Sequence, residues 1–277
     1  MPPPGVLQQQ LAARSKERTL TAADSADYKK AQDATRQLVG EVNSARVSHA
    51  AMSQRQLQEV MVDFWLNHFT VYAQKGPQAR YHLAEYENKS IRPYAMGKFR
   101  DLLGAVAKSP AMLFYLDNWQ NTAPGSPGAL GNFTGLNENY ARELMELHTL
   151  GVHGGYTQKD VMEVARCLTG WTVEETHRSK LNLGSVTFKP FQHDRGEKVV
   201  LGQVIDAIPK KANAAEIERL GRAELDTVLG LIGLHPATAK FIATKLCQRF
   251  IADEPPATAV KTVADEFTAS GGDIPAT

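Results

Sequence analysis

Apolar residues recur every three or four positions along most of this chain, the period of helices that bury one side. Residues 24–51 follow it weakly, with Leu38, Val39, Val42 and Val47 as inward candidates. LQEVMVDFWLNHF follows it strongly, with Leu57, Val60, Met61, Phe64, Trp65 and His68 on one stripe. Ser53 and Gln56 stand ahead of it at capping-box spacing. After a polar loop at Gly76-Pro77, YHLAEYENKSIRPYAMGKFRDLLGAVA reads as two helical pieces divided near Pro93. Ser109-Pro110 opens a short helix over AMLFYLDNW, since proline suits a first helical turn. Gln120–Asn132, rich in Gly, Pro, Ser, Asn and Thr, predicts a surface loop.

The stretch Gly135–Trp171 concentrates polar side chains. Asn137 is placed to cap a helix that Gly151 would end. On that helix Tyr140, Leu144 and Leu147 fall on one side, and Asn139, Arg142, Glu143 and Glu146 on the other. His148 falls among the apolar residues and is expected to point inward. Thr157 and Asp160 cap a second helix with Val161, Val164, Ala165 and Leu168 inward, ended by Gly170.

Period-two alternation occurs in one region. Ser185–Lys189 and Lys198–Ile205 flank KPFQHDRGE, which predicts one small β-hairpin near residues 185–205 with His193-Asp194 exposed at its tip. The remainder is helical: AEIERLGRAELDTVLGLI, PATAKFIATKLCQRFI and PATAVKTVADEFTAS. The expected fold is mainly α: a multi-helix globular domain over residues 24–277, preceded by a loose segment over 1–23.

Composition narrows the classes. A formal net charge of +1 gives no electrostatic case for nucleic acid. No apolar run reaches the roughly 20 residues that span a bilayer, and MPPPGVLQQQ lacks the apolar centre of a secretory signal. Cys167 and Cys247 are the only cysteines, and both fall in predicted helices as small buried hydrophobes.

Two kinds of chemistry compete for the polar positions. Glu143 and Glu146 are helix neighbours, able to divide acid and base roles if the pKa of one is raised. With His68 and His148 they supply the oxygen and nitrogen donors of a divalent metal site, although no zincin or di-iron spacing is present. Asn139 and Arg142 would then orient substrate. His193 beside Asp194 is a candidate base held by a carboxylate, or a turn pair. Under the other reading these histidines are core residues and these charges hold helices together or face a partner.

DFWLNHF, IRPYAMGKFRDLLGAVAKSPAMLFYLDN, GLNENYARELMELHTLGVHGGYTQKDVMEVARCLTGWT, the run from Phe188 to Gly202 and HPATAKFIATKLCQRFIADEPP together resemble a bacterial family, domain of unknown function 1800. The resemblance implies a mostly helical protein, exported across the inner membrane to the periplasm or beyond, that accompanies a sulfatase-like protein. It carries no established activity. Against the family's pattern, the leader and the C-terminal helices are expected to be missing. The preferred expectation is a hydrolytic or metal-assisted envelope enzyme using His68, Glu143, Glu146 and His148. The alternative is a non-catalytic scaffold or partner-binding helical module.

Overall fold

The computed structural model describes residues 22–126, 135–174 and 184–277. Most of the expected loose segment, and the end of the expected loop from residue 127, lie outside them. Among the described residues the fold is mainly α, with eleven α-helices and two two-stranded antiparallel sheets.

Helix α1 (Ala22–Met52) is long and mostly polar; among its described side chains Thr35 and Val42 are buried. The break at residues 53–55 is not the expected capping box. Helix α2 (Gln56–His68) starts at Gln56, so the Ser53 hydroxyl accepts from Arg55 N, and the Gln56 amide turns back to the Ser53 and Ala50 carbonyls. Met61, Val62, Trp65 and His68 of α2 are buried, whereas Leu57, expected on the same stripe, stays 57% exposed. Trp65 anchors the helix by donating its indole N–H to Ala95 O at 3.1 Å.

The next segment breaks into α3 (Pro77–Tyr81), α4 (Leu83–Glu85) and a π-helical turn (Tyr86–Ile91) before α5 (Phe99–Ala107). Helix α6 (Pro110–Tyr115) begins as expected, with Met112 N donating to Ser109 Oγ. Helices α7 (Asn139–Glu146) and α8 (Gln158–Leu168) follow. The α8 capping box between Thr157 and Asp160 forms, and all four predicted inward residues are buried.

Three of the four strands lie where expected, but the first falls outside that region and the pairing differs. β1 (Trp171–Val173) pairs with β2 (Val186–Phe188), Trp171 opposite Phe188. β3 (Lys198–Val200) and β4 (Gln203–Ile205) form a separate hairpin, turning on Leu201 and Gly202, both at positive φ. Between the sheets Pro190–Gln192 makes a 3-10 turn that drives His193 inward. Strand β2 therefore does not continue toward β3.

Helices α9 (Ala214–Gly233), α10 (Pro236–Phe250) and α11 (Ala257–Ala269) complete the chain. The last residues return to the start of α5, where Phe99 N donates to Gly272 O and Ile274 N to Gly97 O. One contiguous apolar core runs from Met61 to Ile274 and includes Trp65, Phe99, Tyr140, Leu168 and Trp171.

Candidate functional site

The polar face of α7 is built on asparagines. Asn137 Oδ1 accepts from Asn139 N at 3.0 Å, which holds the first turn. The Asn137 and Asn139 amides donate to the carbonyls of Asp117 and Leu116. The buried Asn121 donates to Ala165 O and accepts from Asn137 N; the buried Asn118 donates to Leu168 O and Trp171 O. These amides clamp residues 116–121 between α7 and α8. Asn139, expected to orient substrate, is one rung of that clamp.

Helix α7 ends a turn earlier than its sequence suggests. The Thr149 hydroxyl donates to Leu144 O at 2.7 Å, and the backbone N–H groups of His148 and Leu150 reach back five residues to Glu143 and Met145. Leu147 is consequently turned outward at 47% exposure, and Gly151, at φ 78°, closes the turn after the helix. The same turn separates His148 from the acidic residues, because it is buried while Glu143 and Glu146 remain on the half-exposed face.

On that face Arg142 lies between Glu138 Oε2 (3.2 Å) and Gln158 Oε1 (2.8 Å), and the Tyr156 hydroxyl is 3.5 Å from Glu146 Oε2. Burial, and next the Glu146 charge, raise the Glu143 carboxyl above its usual range, opposed by Arg142. Burial and then Glu146 likewise raise the Tyr156 phenol.

The two inward histidines meet each other instead. His68 donates Nε2–H to His148 O at 3.0 Å, which leaves its Nδ1 as a buried lone pair without a hydrogen-bond partner among the described residues. Their ring centroids are 6.4 Å apart, against Phe69 and Phe241. Burial first, then Lys245, push His148 down to about 3, and burial also drives His68 well below its ordinary value. Among the described residues no hydrogen bond or ion pair joins this pair to the Glu143 or Glu146 side chains. Among the described residues no group of three or more His, Cys, Asp and Glu side chains is arranged to hold a metal ion.

His193 and Asp194 are parts of a buried network rather than an exposed tip. His193 Nδ1 donates to Thr169 O at 2.8 Å, so Nε2 faces Glu224 Oε2, 3.3 Å away. That approach is attractive only with a proton between the two atoms. Lys198 Nζ lies 2.7 Å from the same Glu224 oxygen and donates to the carbonyls of Asp194 and Gly196. Although Lys198 and the His193 ring are close, neither Glu224 carboxylate oxygen has a well-aligned hydrogen-bond partner among the described residues. Asp194 pairs through both oxygens with Arg166, which also holds Glu163. Burial would raise the Asp194 carboxyl, but the Arg166 bonds outweigh it and hold it below its usual range.

Glycines make room for this packing. A Cβ on Gly221 of α9 would stand 2.5 Å from Phe188 and 3.1 Å from His193, and one on Gly196 would stand 2.7 Å from Arg166. Gly170, at φ 81°, brings its backbone against Lys189 O.

The eight residues singled out by sequence thus divide among three places: Asn139, Arg142, Glu143 and Glu146 on the α7 face; His68 and His148 in the core; and His193 and Asp194 in the ionic network. Sequence reasoning missed Glu224, Arg166, Glu163 and Lys245. Glu224 had a signal, a carboxylate on the α9 stripe of Ile217, Gly221, Leu225 and Val228. The whole chain, residues 1–277, matches the family model described as protein of unknown function (DUF1800). No curated protein and no solved structure matches it.

Proposed function

The chain belongs to the DUF1800 family, and we propose that it is a non-catalytic helical module of the bacterial envelope that docks a protein partner. The observation that carries this reading is a cleft of about 490 Å³ between α1 and α2. Its floor is apolar, from Val60, Val62, Leu66 and Leu83. The cleft is lined as well by the pairs Arg46–Glu87 and Arg92–Glu59, which are largely buried, and by the exposed pair Arg249–Asp63. A cleft lined by apolar side chains and paired charges is the kind that receives an amphipathic segment. The polar residues singled out by sequence support the same reading, since Asn139, Arg142, His68 and Asp194 are engaged within the chain.

The envelope location and a sulfatase-like protein as the partner follow from the family resemblance. Co-expression with the sulfatase-like protein from the same genome, followed by affinity capture, tests both the partner and the surface. Capture that is lost on Leu66→Asp in a folded variant supports the cleft. Absence of capture, or capture indifferent to that change, rejects it.

A second reading is favoured by one observation, the raised Glu143 carboxyl beside Glu146 and Tyr156 on an open face. It assigns proton donation to Glu143 and makes Glu146 the base in a hydrolytic reaction. A panel of chromogenic esters and glycosides, with and without divalent cations, tests it. Turnover surviving Glu143→Gln and Glu146→Gln would eliminate that assignment.

A further inference from the structure

We propose that α1 is a hinged strap over the α2 cleft, latched by Arg46 on Glu87, and that lifting it admits a basic amphipathic helix of the partner. The proposal rests on the partner-binding reading for its occupant, but the strap motion itself does not.

The helix is 31 residues long, yet Thr35 and Val42 are its buried side chains among those described. Val47 and Met52, near its C-terminal end, are 69% and 78% exposed. The described part of this helix gains little from burial, and elements of that kind open at low free energy. The cleft lies between it and α2: Arg46, Val47 and Ala50 of α1 line one side, and Val60, Val62 and Leu66 of α2 line another. Residues 53–55 interrupt the helical path between α1 and α2, and the Gln56 amide bridges that break. Rotation at the interruption has the Gln56 amide bond to Ala50 O to break rather than a run of helical backbone bonds.

The latch is arranged to open without stranding a charge. Glu87 is buried, and its two oxygens have separate partners: Oε2 takes Arg46 Nε at 2.5 Å and Oε1 takes Arg92 Nη2 at 3.0 Å. Arg92 is also held by both oxygens of Glu59, at 2.9 and 2.8 Å. When Arg46 leaves, Glu87 keeps a guanidinium, and Arg46, already 37% exposed, is rehydrated. The vacated Glu87 oxygen is a seat for a cation, so the occupant that replaces α1 is a helix offering a Lys or Arg there above an apolar face.

Amide hydrogen exchange on the intact chain tests the strap. The α1 amides should exchange faster than those of α2 and α9, and Arg46→Glu should accelerate α1 by about fivefold, the scale of one partly exposed ion pair, while α8 and α9 keep their rates. Arg46→Lys should restore most of the protection. Equal protection of α1 and α2, or an Arg46→Glu variant that exchanges like the parent, would overturn the strap. Failed capture of the sulfatase-like protein with accelerated α1 exchange would instead reject the partner and leave the strap standing.

Discussion

Removing the imidazole of His148 should flatten the loss of stability on mild acidification. The ring is 5% exposed, with Phe69 at 5.2 Å and His68 at 6.4 Å between centroids. Burial, with Lys245 nearby, moves its pKa from 6.5 to about 3. The unfolded chain therefore takes up a proton as pH falls through 6.5 while the folded chain refuses it until near 3. The stabilisation is complete above the unfolded value and is lost as pH falls toward the folded one. At about pH 5 the difference is about 2 kcal/mol from this residue alone. His68 acts in the same direction, but it is present in both proteins and largely cancels. The assay is urea unfolding followed by far-ultraviolet circular dichroism, for the parent and His148→Phe, at about pH 7.5 and about pH 5. Phenylalanine keeps a ring among the aromatic neighbours and leaves the His148 backbone carbonyl to accept from His68. The parent should lose about 2 kcal/mol more than the variant between the two conditions. Equal losses would refute the claim that His148 is held neutral by burial, and His148→Gln repeats the test should the phenylalanine variant pack poorly.

Three further outcomes are expected in the same assay. Glu224→Gln leaves the Lys198 ammonium buried without its counter-charge and should cost about 3–5 kcal/mol, much of it recovered by the pair Lys198→Met with Glu224→Leu; a mild single variant would mean the network is hydrated. Gly221→Ala should destabilise by about 1–3 kcal/mol, because the clash with Phe188 exceeds the helix-propensity gain of about 1 kcal/mol, and a stabilised variant would show that Phe188 yields. Asn121→Ala strands Asn137 N and Ala165 O and should cost about 1–3 kcal/mol; an unchanged midpoint would disprove the clamp.

Helical periodicity was legible because it reports burial directly: Trp65, Tyr140, Leu144 and Val164 all lie where their spacing puts them. The boundaries were less legible where side chains compete for backbone groups. Thr149 takes the Leu144 carbonyl and Gln56 takes the Ser53 carbonyl, and neither bond follows from propensity. The β pairing failed for a related reason. Alternation marks residues 185–205 as strand-like but does not choose partners, and burial of His193 and Lys198 pulls the intervening loop onto α9. For the candidate site, the inward direction of His68 and His148 was correct and their nearness was not readable, because it depends on how α2 meets the turn after α7. That turn also sends Glu143 and Glu146 to a different surface.

The same physics explains why the segment richest in titratable groups need not be where function lies. His193 and Asp194 sit on a loop with little apolar surface of its own, between β2 and β3 of three residues each, and Lys198 opens β3 within six positions of them. Such a loop is fixed only by bonds with direction. Arg166 supplies a two-pronged bond to Asp194, Thr169 a carbonyl to His193, and Glu224 a carboxylate facing the Lys198 ammonium and the His193 ring. Buried charges of this kind add little net stability over apolar residues of the same volume, but each mispaired arrangement leaves one charge without a partner. The register of the loop is thereby specified. Gly170, Gly196 and Gly221 are required by the same contacts, since each admits a neighbour closer than a Cβ would allow. Glu87 is arranged differently, held by two guanidiniums at separate oxygens, so that the loss of one leaves the other in place.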